Sequence, residues 1–158
     1  MMRELTKDDI KARQIEILKY FKNTCEELGL RYSLAYGTLL GAVRHGGYIP
    51  WDDDIDVCMP REDYDKLCSA LREKDGRFYL LDIHKNKDYY QNFAKIMDTE
   101  TIFVRDDKSI KDVKNYGINI DIFPYDNCPS DVNEYNNHRK RIVSLVEKKA
   151  LIITKGVQ

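Results

Sequence analysis

Asp54-Ile55-Asp56-Val57-Cys58-Met59-Pro60 sets two carboxylates two residues apart at the head of an apolar, β-rich run. Side chains alternate across a strand, so a strand over Ile55 to Met59 turns Asp54 and Asp56 the same way. Two like charges on one face repel, and a cation between them removes that cost. Hard carboxylate oxygens suit magnesium or manganese better than zinc. Alone, an acidic pair carries little weight, because most acidic runs are solvated turns. The flanking sequence adds the weight.

Upstream, a short strand over Arg31 to Tyr36 runs through Gly37-Thr38 into a brief helix, Leu39 to Arg44, which the Gly46-Gly47 pair breaks. Glycine lets backbone N–H groups approach an anion, a helix start favours negative charge, and the Thr38 hydroxyl adds a donor for a phosphate oxygen. Downstream, Ile118 to Phe123 alternates, with Asn119 and Asp121 on one face and isoleucines on the other, until Pro124 ends it. A lone aspartate on so apolar a strand needs a partner, and a shared cation would serve. Strand, Gly-Thr, helix, D-x-D strand and a later strand with a third acid predict an α+β fold. The expected type is nucleotidyltransferase-like (DNA polymerase β-type), a mixed sheet flanked by helices.

The remaining segments supply the scaffold. Thr6 is the expected N-cap of a first helix, with Asp9 completing a capping box and Leu5 and Ile10 a hydrophobic staple. Ile10, Ile15, Leu18, Phe21, Cys25 and Leu28 recur at helical spacing, and Gly29 stops the helix. Pro60 is a good first residue for a helix with Tyr64, Leu67, Cys68 and Leu71 on one face. Strands are expected at Phe78 to Ile83, Asn92 to Met97 and Thr101 to Arg105, a loop at Asp106 to Asn115, and a last helix from Asp131 with Tyr135, Ile142, Leu145 and Val146 on one side. One domain over residues 1–158 is expected, a length that can bury a real core.

The 42% hydrophobic and 34% charged residues fit an ordinary globular chain, and 26 basic against 27 acidic residues give no reason to expect a nucleic-acid partner. Cys25, Cys58, Cys68 and Cys128 form no C-x-x-C pair and no zinc spacing. With no secretory segment and no bilayer-length apolar run, a cytoplasmic location is expected.

The run Tyr36-Gly37-Thr38-Leu39-Leu40-Gly41-Ala42-Val43-Arg44-His45, continuing through Ile49-Pro50-Trp51-Asp52-Asp53-Asp54-Ile55-Asp56, closely resembles the LicD family, which includes bacterial phosphocholine transferases and the animal fukutins. Lys95-Ile96-Met97-Asp98-Thr99-Glu100-Thr101 and Ile120-Asp121-Ile122-Phe123-Pro124 look like two further segments of that family, so the resemblance covers about Tyr32 to Asp126. It implies a transferase that moves a phospho-alcohol such as phosphocholine from a CDP-linked donor (CDP-choline, for example) to a sugar hydroxyl. The acceptor would be a glycan or lipid-linked glycan of the cell surface, such as lipopolysaccharide or teichoic acid. It further implies that Asp54, Asp56 and Asp121 bind one or two magnesium (or manganese) ions bridging the donor diphosphate. Gly37 and Thr38 would hold a phosphate, and one carboxylate, Asp121, would accept the acceptor's proton. Members of that family are generally longer, so the resemblance implies a chain holding the metal-binding part without much of the acceptor side.

The neighbouring residues each have two readings. Asp52 and Asp53 either orient loop and water or ligate directly. Arg44 grips phosphate oxygens or pairs with the acidic run. His45 carries a proton or steadies its loop. Trp51 stacks on a base or sugar, or anchors the loop to the core. Lys95 reaches the donor phosphates or faces solvent. Arg139, Lys140 and Arg141 make peripheral contact with an anionic membrane, at its inner face, or form the wet side of a helix. Two other functions fit the same residues: a nucleotidyltransferase moving a nucleoside monophosphate, and a shortened non-catalytic module that binds nucleotide and metal.

Overall fold

The computed structural model describes residues 3–87, 89, 91–102 and 116–155. The chain divides into two compact units, Met1–Tyr125 and Asp126–Gln158. Among the described residues of the first unit the order is α1 (Lys7–Leu28), β1 (Ser33–Leu34), α2 (Tyr36–His45), β2 (Asp56–Pro60), α3 (Arg61–Arg72), β3 (Phe78–Leu81), β4 (Ala94–Asp98) and β5 (Asn119–Tyr125). The second unit holds α4 (Val132–Lys155). The molecule is thus α+β, with a mixed sheet and helices.

Local chemistry explains the helix ends. Thr6 Oγ1 accepts from the Asp9 N–H at 3.2 Å while Asp9 accepts from the Thr6 N–H at 3.0 Å, the expected capping box. Gly29 closes α1 at φ 64, where a side chain would be strained. Asp131 Oδ1 accepts from the N–H groups of Asn133 and Glu134, both at 2.9 Å, and so starts α4. Among the described residues no helix is long and apolar enough to cross a membrane.

The sheet runs β1-β2-β5-β4-β3, and only the β2–β5 pair is parallel. One face is apolar: Val57, Met59, Ile120, Ile122, Ala94 and Ile96 pack with Ile17, Phe21 and Cys25 of α1 and Tyr64, Leu67 and Leu71 of α3. Phe21 is fully buried there, and truncating it to alanine should cost about 3 kcal/mol or more. Strand alternation then sends Asp56 of β2, Asn119, Asp121 and Phe123 of β5, and Lys95 of β4 to the opposite face. The core thus fixes the orientation of every charged group on the other side.

Several boundaries differ from expectation. β1 is two residues long and α2 begins at Tyr36, so Gly37 and Thr38 lie in its first turn instead of ahead of it. Tyr36 makes the sharp corner by taking φ 44. Pro60 ends β2 and caps α3 from outside rather than opening the helix. Pro124 does not end β5, because the β4 ladder stops at Ile122 and the strand beyond has no partner on that side to need its N–H. Thr101 and Ile102 are not strand. Thr101 Oγ1 instead donates to Asp98 O and accepts from the Ile118 N–H, both at 2.8 Å. Residues 103–105 of that expected strand, and the expected loop at 106–115, lie outside the described residues.

Candidate active site

β2 begins at Asp56, with Asp54 ahead of the strand instead of on it, and helices on both sides hold the D-x-D segment in place. The Asp56 N–H donates to Thr38 Oγ1 at 2.8 Å, and its carbonyl accepts from the Ala35 N–H at 2.9 Å. Thr38 therefore locks the strand to the first turn of α2, and its oxygen is committed to a backbone N–H while its own proton is left to donate. A Cβ on Gly37 would lie 2.5 Å from Asp52 Oδ2, so only glycine admits the Asp52 carboxylate against the start of α2. An anionic oxygen already rests where a helix start favours one.

α1 holds the acidic loop from the other side. Gln14, 5% exposed, donates through Nε2 to Asp53 O at 2.9 Å and to Asn119 O at 3.4 Å, and its Oε1 accepts from the Tyr48 hydroxyl at 2.7 Å. Lys11 Nζ donates to Pro50 O at 3.0 Å and lies 4.9 Å from the Tyr48 ring. The expectation that α1 is scaffold alone missed both residues. The signal was present for one of them: Gln14 interrupts the apolar stripe Ile10, Ile17, Phe21 at helical spacing, and a buried amide must find partners.

Asp56 and Asp121 stand directly opposite each other across the parallel pair, and Lys95 stands opposite Asp121 on the other flank. Lys95 Nζ forms an ion pair with Asp121 and donates to Asn119 Oδ1 at 3.1 Å. Lys95 is thus drawn onto the acidic face and not out to solvent. Asp52, Asp53 and Asp54 bring carboxylate oxygens within 4.8 Å of one another, the one such acidic trio among the described residues. Asp56 and Asp121 are not part of that trio; they face each other across the strand pair, and Lys95 pairs with Asp121.

These surroundings appear in proton affinities. Burial, then the charges of Asp54, Asp121 and Asp52, push Asp56 up to about 6, with Lys95 opposing. Asp54 is raised by burial and then by Asp52, Asp53 and Asp121. Asp121 is raised by burial, which outweighs the Lys95 charge. Each shift measures the cost of holding these groups ionised without a cation.

Arg44 and His45 sit in the last turn of α2, roughly 9 Å along the helix axis from Thr38 at 1.5 Å per residue. Both are exposed, and Arg44 makes no hydrogen bond or ion pair among the described residues, so the expected alternative of an ion pair with the acidic run is not found. Trp51 is 81% exposed and meets the His45 ring edge-on at 6.2 Å, so it does not anchor the loop; Ile49, Tyr48 and Lys11 do that. An aromatic run continues the acidic face along β5: Phe93 packs on Phe123 at 4.5 Å, and Phe123 meets Tyr36 at 5.3 Å. A cavity of about 370 Å³ between α3 and residues 82–84 and 91–93 contains none of Asp52, Asp54, Asp56 or Asp121. The four cysteines are unbridged; Cys25, Cys58 and Cys68 are buried and Cys128 is exposed.

Residues 29–149 match the family described as LicD/FKTN/FKRP, nucleotidyltransferase domain. The chain is 36% identical over 132 residues to the lipopolysaccharide cholinephosphotransferase LicD of Haemophilus influenzae, which covers 82% of this chain and 48% of that protein. It is 46% identical over 57 residues to human ribitol 5-phosphate transferase FKRP, which covers 36% of this chain and 11% of that protein. The chain thus spans about half the length of the bacterial relative and a smaller part of the human one. A match across most of the chain, carried through the segments that build the acidic face, shows that it belongs to the LicD family.

Proposed function

We propose that the chain carries the catalytic face of a metal-dependent transferase of nucleotidyltransferase-like fold, which moves a phospho-alcohol from a CDP-linked donor to a sugar hydroxyl of a cell-surface glycan. The observation that carries this reading is the cluster of Asp52, Asp53 and Asp54 beside Asp56 and Asp121, which are register partners on the sheet, with Lys95 paired to Asp121. The donor set fits magnesium or manganese: all oxygen, partly solvent-accessible, and raised in proton affinity by burial and then by the neighbouring carboxylates. Asp54, Asp56 and Asp121 would hold the metal, with Asp52 and Asp53 shaping the loop. When bound, the metal supplies positive charge to the diphosphate oxygens during in-line displacement.

The chain's own groups then have definite tasks. The Thr38 proton and the N–H groups of the first turn of α2 hold a phosphate once the Asp52 carboxylate, which Gly37 admits to that place, turns aside to the metal. Lys95 shifts its contact from Asp121 to a phosphate oxygen as the donor enters. The acceptor hydroxyl attacks phosphorus, the bond to the cytidylate oxygen breaks, and an Asp121 oxygen takes the hydroxyl proton. Arg44, His45 and Trp51 border the donor from the far end of α2. The relatives named as cholinephosphotransferase and ribitol 5-phosphate transferase support the reaction class. Contact with the inner face of an anionic membrane through Arg139, Lys140 and Arg141, in the cytoplasm, belongs to the same proposal.

The test is calorimetric titration of CDP-choline, CMP and ATP with and without magnesium, on the chain and on Asp56→Ala. Magnesium-dependent binding of the cytidine ligands, lost in the variant, is expected. A preference for ATP would replace this reading with nucleoside monophosphate transfer. No metal-linked nucleotide binding would leave a family member without the chemistry.

A further inference from the structure

The cavity between α3 and the chain that follows β3, about 370 Å³, has no part in the metal or phosphate chemistry above. Its size falls within the range of small-ligand clefts. One wall is the side of α3 that carries Arg61, Asp65, Ser69 and Arg72. The other is formed by residues 82–84 and 91–93. Both are held from behind. Asp82 is buried, and its carboxylate accepts from Arg72 Nη2 at 2.8 Å and from the N–H groups of His84 at 3.2 Å and Lys85 at 2.6 Å. The Tyr89 hydroxyl donates to Phe93 O at 2.8 Å and fixes the chain where β4 begins.

The chemistry of the lining defines what the cavity takes. Arg72 Nε is buried with no acceptor among the described residues, although the same guanidinium is tied to Asp82. A buried donor without an acceptor is costly, and a ligand oxygen would relieve it. Each arginine of the lining already has an acid, Arg61 with Asp65 at 3.8 Å and Arg72 with Asp82 at 2.8 Å, so a phosphate or carboxylate meets no unmatched arginine charge. Ser69, Gln91 and Asn92 can both donate and accept, as the hydroxyl groups of a ligand do. Phe93 and Ile83 add apolar surface for the C–H face of a ring. A neutral polyhydroxylated ring meets all of these conditions.

Its position ties the cavity to the acidic face. Phe93 lines it and packs on Phe123 at 4.5 Å. Phe123 follows Asp121 by two residues on the same face of β5, about 7 Å along the strand. That is further than one sugar ring spans, so a ring held in the cavity is not the ring whose hydroxyl reaches Asp121.

We propose that this cavity is a subsite for a neutral sugar of the acceptor glycan, a neighbour of the sugar that is attached to the phospho-alcohol. The chain then recognises an oligosaccharide and not a single ring. The inference rests on the reading that the carboxylate face carries out transfer to a sugar hydroxyl.

The experiment follows amide NMR spectra of the isotopically labelled full chain in magnesium-free buffer. The probes are glucose, galactose, mannose and N-acetylglucosamine, then maltose, lactose, mannobiose and chitobiose, and inorganic phosphate. The expected result is a set of shifts at the amides of Ser69, Arg72, His84 and Asn92, larger for a disaccharide than for its monosaccharide. Ser69→Trp, at an exposed position of α3, puts a large ring into the cavity and should lose these shifts, while the rest of its spectrum reports folding. Gln91→Ala, on the opposite wall, should weaken them. Absence of shifts from every sugar, or shifts that persist in Ser69→Trp, would overturn the subsite. Shifts at these amides from phosphate alone would replace the sugar with an anion. Sugar binding at the cavity in a chain that shows no magnesium-linked CMP binding would overturn the acceptor assignment through the transferase reading and not through the cavity.

Discussion

Asp98, at the end of β4, and Asp56, at the head of β2, are both carboxylates within one sheet, yet their surroundings are opposite. Asp98 is fully buried and meets Arg77 Nη2 at 2.9 Å, Arg13 Nη1 at 3.3 Å and the Glu100 N–H at 3.0 Å. Burial pushes its proton affinity up, but the Arg77 hydrogen bond and the Glu100 N–H bring it below the usual carboxylate range. Asp56 is only half-buried, faces Asp121 and Asp54, and lies above that range. An acid that serves the fold carries its counter-charges with it. An acid set beside other acids lacks that compensation, and its proton affinity rises instead.

The sharpest way to break this contrast is to remove each acid in turn. Asp98→Ala leaves Arg77 and Arg13 without their shared partner and should cost about 3 kcal/mol or more in urea denaturation. Asp56→Ala should do the reverse in metal-free buffer at pH 7, raising Tm, while transfer activity falls on the order of 10³-fold. A lower Tm for the Asp56 variant would mean that the acidic face is not under electrostatic stress.

Lys95→Met is the next largest test. It strips Asp121 of its ion pair, so metal-free Tm should drop, and under the proposed function the donor loses a phosphate contact and activity should fall about 100-fold. An unchanged rate would place Lys95 in a purely structural role.

The pH dependence sharpens the same point. Asp56 titrates near 6 in the fold against an ordinary value of 3.8, so the folded chain holds a proton that the unfolded chain has released. Metal-free stability should therefore fall as pH rises between about 4 and 6. Stabilisation by magnesium should be full above that window and fade as pH drops through about 6, read as the Tm difference with and without the ion. A magnesium shift unchanged at pH 5 would remove Asp56 from the ligand set.

The smallest expected effect belongs to Gln14→Leu, which keeps size but frees the Asp53 and Asn119 carbonyls and the Tyr48 hydroxyl. Magnesium affinity should weaken about tenfold and stability by about 1 kcal/mol. Loss of stability without loss of affinity would show that Gln14 braces the core and not the acidic loop.

What the sequence displayed and what it withheld follow from how far each signal reaches along the chain. The capping box of α1, the Gly29 stop, the alternation through Asp121 and the D-x-D spacing are local patterns, and each stands in the fold close to where the residues suggested. The start of α2 departs from the local pattern because Tyr36 adopts a conformation its side chain disfavours, supported by contacts distant in sequence. The persistence of β5 through Pro124 depends on where β4 stops, which no property of the proline reveals. Lys95 is ambiguous on its own strand and becomes a partner of Asp121 only through cross-strand register. The LicD-like motifs pointed to the carboxylates but not to Gln14, whose task is set by a loop roughly 40 residues away.

The parallel pairing of β2 with β5 has a consequence in time. Asp56 and Asp121 are register partners, although about 65 residues separate them along the chain. Closing so long a loop is entropically costly and comes late for non-local pairings. A nascent or half-folded chain therefore displays the D-x-D pair without its third carboxylate. The complete acidic face therefore arises only once β2 and β5 have paired at the centre of the sheet.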